Sequence, residues 1–387
     1  MHIHQERLAR LRARMAETGT DLVAVGPTSH MLWLSGADPH GDERPVMLLI
    51  SQDHAGFLMP ALNANSVRQA TDLPFETWTD EDGPAAALDR LLAHCRITGT
   101  RQVLALDEAM RVDFALLLLD VMDAPVRKFT DQTLGHLRAM KDAAELDALR
   151  ACASLNDAAA SAGFAALRNG MTELDVANVI RDYYKSQGAK PEFTIVAFGQ
   201  NGAFPHHHTS EAKLADGMAV LIDTGCRTGG YPSDMTRCGW FGDVPSEDFL
   251  AIAGIVEKAV QAALAVVRPG VRARDVDAAA RGVIEAAGYG EYFVHRTGHG
   301  LGIDIHEPPY ITATSDTVLR EGQVFSIEPG IYLPGRFGVR LEDIVTVTPN
   351  GADIFSGLSR GIWTATPPSS DCPRGRINRG EKPALGR

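Results

Sequence analysis

Residues 321–330 read EGQVFSIEPG. The run VFSI has the apolar character of a buried strand, yet it leads straight into Glu328 and a Pro-Gly break. Residues 216–225, DGMAVLIDTG, repeat the arrangement, with acid, Gly, Ile, acid and Gly in corresponding slots. A carboxylate at the end of a buried strand is costly unless something pairs with it. Its recurrence at Asp223 and Glu328 therefore marks a placed group.

Working outward, the segments that precede the two strands are related as well. NGMTELDVANVIRDYYKSQG at 169–188 and PGVRARDVDAAARGVIEAAG at 269–288 share Gly170 and Gly270, Asp175 and Asp275, Val176 and Val276, Arg181 and Arg281, and Gly188 and Gly288. Both carry helix periodicity between bounding glycines, whereas chance gives about one identity in such a window. Two amphipathic helices can agree by coincidence. Agreement of the following strands as well points to two related halves, each helix then strand, facing one another across a pseudo-symmetric cleft.

The acids come in pairs. Asp223 is followed by TGCRTGGYPSD, ending at Asp234, and a hairpin turning at Thr228 and Gly229 sets the two acids directly opposite. Glu328 is followed by PGIYLPGRFGVRLE, and a turn at Pro334, Gly335 and Arg336 sets Glu342 opposite Glu328. Like charges opposed across strands destabilise a sheet, and carboxylates buried together without cations are forced to take up protons. Two divalent metal ions resolve the conflict. Four carboxylates and one neutral imidazole sum to a formal charge of −4, which two M²⁺ ions balance. An oxygen-rich shell with one nitrogen suits Mn²⁺, with Zn²⁺ or Co²⁺ as alternatives. The imidazole is expected from HRTGHGLGIDIHEPPY at 295–310, where His299 lies among Gly298, Gly300 and Gly302, which let backbone and metal approach closely. His306 lies seven residues on. On one unbroken strand that odd spacing turns the two imidazoles to opposite faces, so both serve one site only if the glycines bend the chain.

The rest of the chain sets limits. With 387 residues, 45% hydrophobic and 6% aromatic, it is long enough for two domains with sizeable cores and too apolar to be disordered throughout. A net charge of −12 and a pI near 5.5 argue against nucleic acid or an anionic membrane as the main partner. The opening MHIHQERLARLRARM is charged and amphipathic, and no run approaches the roughly 18 apolar residues of a membrane span, so a cytoplasmic protein is expected. Five cysteines without C-x-x-C spacing suggest neither a disulfide framework nor a cysteine zinc site. Helix and strand patterns alternate from QERLARLRARMAETG through DLVAV and RPVMLLI to about Val126, which gives an α/β unit over 1–128. Residues 129–141 are expected to link it to a catalytic unit over 142–366, opening on the helical AAELDALRACASLNDAAASAGFAALR. Residues 367–387, rich in Pro and Gly with five basic and two acidic residues, are expected to form a disordered tail.

Together these residues resemble the metal-dependent peptidases of the methionine aminopeptidase, aminopeptidase P and prolidase group, family M24, with the pita-bread fold. The ordered series Asp223, Asp234, His299, Glu328 and Glu342 carries the resemblance across roughly 140–366. SHMLWLSGAD at 29–38 is similar to the N-terminal domain of the prolidase, aminopeptidase P and creatinase branch. The resemblance implies an α+β fold, a creatinase/prolidase-like domain followed by a pita-bread domain with an internal pseudo-twofold repeat. It also implies that Asp223 chelates one metal, His299 and Glu328 the other, and that Asp234 and Glu342 bridge them. Glu328 would in addition shuttle a proton, and His206, in FPHHHTSE 17 residues before Asp223, and His306 would orient substrate. His207 and His208 leave that register open, with a solvated loop as the alternative for all three. Arg340, alternating onto the face of Glu342 in VRLED, is expected to hydrogen-bond and orient that ligand. His295 is placed with it behind the ligands, and Cys226 and Cys238 are read as structural.

The implied reaction is two-metal hydrolysis of the Xaa-Pro bond at the N-terminus of dipeptides and short peptides, by a homodimer. That bond is a tertiary amide without an N–H, so a site relying on metals and histidines can specialise in it. Eukaryotic-type prolidases place an arginine for the substrate carboxylate between the second histidine and the next Glu ligand. Residues 307–320 here hold only Arg320, so tripeptides are expected to be accepted within about tenfold of dipeptides. Two other readings share the fold: a non-catalytic binding module, and a hydrolase or lyase acting on a small non-peptide compound. The complete ligand series opposes the first, and proline release from Xaa-Pro peptides separates the enzyme readings.

Overall fold

The structure, a computed structural model, describes residues 3–365; the tail expected at 367–387 lies outside the described residues. The N-terminal unit is built on a six-stranded sheet in the order Phe75–Trp78, Ala55–Pro60, Met47–Ile50, Leu22–Val25, Val103–Leu106, Val126–Phe129. Its central strands LVAV and MLLI are apolar at every position because both faces are covered. Leu11, Trp33 and Phe57 pack on one side and Leu88, Phe114 and Leu118 on the other. The stretch expected to link the units is itself folded. It forms a single turn at Thr130–Gln132 and a short helix, Leu134–Ala139, whose Leu134 and Leu137 join the N-terminal core. Asp142 then caps the helix Ala143–Ala166 through a reciprocal pair with Glu145, each side chain bonding the other's backbone N–H at 3.0 Å.

The C-terminal unit consists of two halves. In one, helices Ala143–Ala166 and Glu173–Ser186 pack on a sheet ordered Trp363–Ala365, Met235–Phe241, Met218–Thr228, Lys190–Phe198. In the other, helices Glu247–Val266 and Ala273–Ala286 pack on a sheet ordered Glu307–Ile311, Gly298–Gly300, Val324–Ile327, Asp343–Thr348, Gly351–Ile354. The sequence repeat is structural. The first repeated helix buries Glu173, Val176, Ala177, Ile180 and Tyr184, and the second buries Ala273, Val276, Asp277, Ala280 and Ile284, the same five positions of each turn pattern. Each fully buried Val or Ile contributes about 1.5–3 kcal/mol, so this stripe fixes how both helices lie on their sheets. Asp175 accepts the Thr172 N–H at 2.8 Å and Asp275 the Arg272 N–H at 3.3 Å, so the shared aspartates start both helices. Gly170 and Gly270 donate to the carbonyls of Leu214 and Leu319, tying each helix to the segment leading into its acid-bearing strand.

Among the described residues the Glu247–Val266 helix is the one long and apolar enough to cross a membrane, where the sequence reading expected none. Phe249, Ile252, Val256, Val260 and Ala263 on it are buried in the core of the second half. Its Glu257 accepts from Arg360 Nε at 2.7 Å.

Candidate metal centre

Two hairpins carry the acids. In the first, Arg227 pairs with Pro232 and Thr228 with Tyr231, leaving Gly229 and Gly230 as a two-residue turn with φ of 59° and 85°. Both values suit the twisted hairpin turn that glycine enters freely. The turn thus falls one residue beyond the position expected from sequence. Asp223 faces Thr236 rather than Asp234, and the two aspartates sit diagonally on the same face, since a two-residue shift preserves the side on which a strand residue points. The second hairpin follows the expectation. The Ile327–Asp343 and Gly330–Arg340 pairs share one register across a break in the ladder, and in that register the residue opposite Glu328 is Glu342.

His299 and His306 meet for a reason other than a glycine bend. Residues 298–300 and 307–311 are antiparallel neighbours, so the chain folds back and brings the two rings to 4.0 Å, edge to face. Gly298 and Gly300 beside His299 admit neighbouring backbone. A Cβ at Gly298 would collide with the Ser326 carbonyl oxygen, and one at Gly300 with the Glu307 carbonyl oxygen.

All nine residues singled out from the sequence line one cleft of about 680 Å³ between the two halves: His206, Asp223, Asp234, His295, His299, His306, Glu328, Arg340 and Glu342. Within it, donor atoms of Asp223, Asp234 and Glu342 form one group lying within 4.8 Å of one another, and those of His299, Glu328 and Glu342 form a second. Glu342 belongs to both. Asp234 Oδ2 lies 3.6 Å from His299 Nε2, and Glu328 Oε1 lies 3.3 Å from it.

Asp223, Glu342 and His299 are each held by one atom, leaving another directed to the cluster. Asp223 Oδ2 accepts from Arg340 Nη2 at 2.6 Å, while buried Oδ1 has no hydrogen-bond partner among the described residues. Glu342 Oε2 accepts from the Thr236 hydroxyl at 2.8 Å, and buried Oε1 is likewise unpartnered among the described residues. His299 Nδ1–H donates to the Gly300 carbonyl at 3.1 Å, which leaves the Nε2 lone pair for a cation. The Ser326 hydroxyl accepts the His299 backbone N–H at 2.9 Å and donates to Glu328 Oε1 at 3.0 Å. Two orphaned carboxylate oxygens beside a free imidazole nitrogen fit divalent cations.

Several buried carboxylates this close together are costly to keep charged without a cation. Burial, then the charges of Asp223 and Glu328, pushes the Asp234 carboxyl well above the usual range. Burial, then Asp234, Glu328 and Asp223, does the same to Glu342. Glu328 is pushed up to about 7, chiefly by burial. Burial, then the neighbouring His306, depresses His299 to about 3, so it stays neutral and able to act as a ligand.

Arg340 differs from expectation. It does not bond Glu342; its Nη2 holds Asp223, its Nε reaches Thr236 Oγ1 at 2.9 Å, and its Nη1 reaches the Tyr332 hydroxyl at 2.8 Å. Its influence on Glu342 passes through Thr236. The alternation argument put Arg340 on the correct face, but the diagonal offset of the first hairpin brings Thr236 and Asp223 closer. Tyr332 in turn donates to His295 Nε2 at 2.8 Å, so His295 stands behind the donors at the end of a His295–Tyr332–Arg340–Asp223 chain. Sequence reading missed Tyr332, Thr236 and Ser326. The hairpin registers it drew already place Tyr332 two residues diagonally from Arg340 and Thr236 two residues beyond Asp234, and that was the available signal.

The histidine trio separates by contacts. His207 Nε2 binds Glu173 Oε2 at 2.7 Å, and the same carboxylate accepts the Phe198 and Ser210 N–H groups. This buried acid of the first repeated helix pins the loop, and Arg340 Nη1 holds the Pro205 carbonyl at 3.3 Å. His206 lines the cleft. In the other half the position matching Glu173 is Ala273, and Asp277, one turn further along that helix, accepts both the N–H and the hydroxyl of Thr297, whose carbonyl accepts the Glu328 N–H at 2.8 Å.

Known proteins share this architecture. Residues 147–349 match metallopeptidase family M24 and residues 7–140 match the creatinase/prolidase N-terminal domain. The chain belongs to metallopeptidase family M24, in the branch that carries that N-terminal domain. It is 38% identical over 357 residues to the probable dipeptidase PepE of Mycobacterium tuberculosis, covering 90% of this chain and 93% of that protein. It is 33% identical over 360 residues to the Xaa-Pro dipeptidase of Lactobacillus delbrueckii subsp. lactis, covering 92% and 98%. The crystal structure of dipeptidase PepE from Mycobacterium ulcerans superposes with a TM-score of 0.88 at 36% identity, covering 94% of this chain and 98% of that one.

Proposed function

We propose that this metallopeptidase hydrolyses the Xaa-Pro bond at the N-terminus of dipeptides and short peptides, with two divalent ions held by Asp223, Asp234, His299, Glu328 and Glu342. The observation that carries the reading is the pair of overlapping donor groups that share Glu342 and contain two orphaned carboxylate oxygens. Asp223 would serve one ion, His299 and Glu328 the other, with Asp234 and Glu342 between them. The ions would supply polarisation of the scissile carbonyl and an acidified water. Mn²⁺ suits the oxygen-rich donor set. A homodimer in the cytoplasm is proposed with it, on the sequence reading and the resemblance.

The chain's own groups then do the following. Glu328, oriented by Ser326, takes the proton given up by the attacking water and returns it to the departing prolyl nitrogen. His306 and His206, both exposed to the cleft, donate hydrogen bonds to the substrate at the scissile carbonyl and the flanking peptide. Phe193, Ile195 and Ile305 offer the prolyl ring and first side chain an apolar wall. None of these contacts needs an N–H on the scissile amide.

The test is a panel of Ala-Pro, Met-Pro and Ala-Ala with added Mn²⁺, read by amino-acid release. Ala-Pro is expected to be cleaved at least about tenfold better in kcat/KM than Ala-Ala. Equal rates would remove the proline preference, and cleavage of none would favour a small non-peptide substrate. Within that panel, His306→Ala is expected to keep its metal content and lose on the order of 10²-fold in kcat, the usual scale for removing a positioned proton-transfer or oxyanion-donor group. Turnover close to wild type would reduce His306 to a packing neighbour of His299.

A further inference from the structure

An Xaa-Pro dipeptide brings an α-carboxylate into the cleft. Its carboxylate carbon is three bonds from the scissile carbonyl carbon, hence about 4 Å or less away. Whatever binds that anion must therefore sit beside the groups that act on the carbonyl. With two divalent ions bound, the charges of the five donors would be balanced by the ions and would offer it no net attraction.

Two arginines line the cleft. Arg340 is committed, its guanidinium held by Asp223, Thr236 and Tyr332. Arg296 is half-buried, and among the described residues its side chain makes no hydrogen bond or ion pair. Its guanidinium carbon lies 4.7 Å from the centroid of the Tyr310 ring, and Tyr310 is the residue directly across the hairpin from His299. Stacking on an aromatic face fixes the guanidinium plane and leaves its N–H edge for a planar anion, the geometry in which arginine binds carboxylate through two parallel hydrogen bonds. The backbone on either side is anchored. Arg281 donates to the His295 carbonyl at 3.0 Å, and Asp277 holds Thr297.

Resting on the peptidase reading of this site, we infer that Arg296, stacked on Tyr310, binds the C-terminal α-carboxylate of an Xaa-Pro dipeptide and so sets substrate length. The segment 307–320 lacks a suitable arginine because the cation comes from the other strand of the same hairpin, ahead of His299. Near-equal acceptance of tripeptides, expected from sequence, is replaced by a preference for dipeptides.

The experiment compares kcat/KM for Ala-Pro, Ala-Pro-NH₂ and Ala-Pro-Ala in the wild type, Arg296→Met and Arg296→Lys, with calorimetric binding of L-proline and L-prolinamide as a readout independent of turnover. The wild type is expected to favour Ala-Pro over its amide by about 30–100-fold, the scale for a charge pair in a closed site. Arg296→Met is expected to collapse that ratio to within about threefold, mainly through KM, and to remove the preference for proline over prolinamide; Arg296→Lys is expected to restore part of both. A ratio unchanged in Arg296→Met overturns the inference. So does a wild type that cleaves Ala-Pro and its amide equally, a comparison that stands even if the variants do not fold. A wild type that cleaves none of the three peptides removes instead the peptidase reading beneath it.

Discussion

Glu342→Gln and Asp234→Asn are each expected to abolish turnover, lowering kcat/KM on the order of 10³-fold or more, and to lower metal content at both proposed ion positions. Glu342 belongs both to the group with Asp223 and Asp234 and to the group with His299 and Glu328, while Asp234 also groups with His299 and His306 and lies 3.6 Å from His299. A residue placed between two ions must offer each an anionic oxygen. An amide offers one neutral oxygen and turns two N–H donors toward the remaining site. Both substitutions keep shape, so the Thr236 hydroxyl can still reach the side chain at 342 and the fold is retained. A 10³-fold loss corresponds to about 4 kcal/mol of transition-state stabilisation, the several kcal/mol a metal's polarisation supplies. Metal content unchanged in both variants would show that neither residue bridges.

Much of this site was legible because β-strand periodicity is rigid. Once VFSIEPG and VLIDTG are strands, alternation fixes the face of every acid, and a two-residue error in hairpin register leaves that face unchanged. This is why a turn misplaced from Gly229–Gly230 to Thr228–Gly229 still delivered Asp223 and Asp234 to one cleft. The helical repeat was readable for a similar reason: a buried stripe at fixed spacing recurs in both halves.

What escaped depends on contacts between distant segments. Arg340 was placed on the correct face, but its choice of Asp223 over Glu342 follows from how the two half-sheets approach, which no local pattern encodes. The meeting of His299 with His306 needed the fold-back of residues 307–311 onto 298–300, and a seven-residue spacing through glycines is compatible with either a bend or a hairpin. Arg296 escaped because it was sought downstream of His306, whereas antiparallel pairing puts residues ahead of His299 beside Tyr310. The Glu247–Val266 helix was passed over as a membrane-length segment because Glu257 and Lys258 interrupt its apolar run.

On the proposed function these five side chains hold two divalent ions without which the enzyme is inactive. Asp234 and Glu342 are each driven toward protonation by burial and by neighbouring acids, and only bound cations let the four carboxylates remain charged together. The direct measurement is metal content per chain by elemental analysis, together with proline release from Ala-Pro, before and after exhaustive dialysis against chelator and after readdition of Mn²⁺. Up to two ions per chain are expected, with loss of proline release to the detection limit when they are removed and recovery as they return. Undiminished proline release from a chain shown to carry no metal would contradict the proposed function.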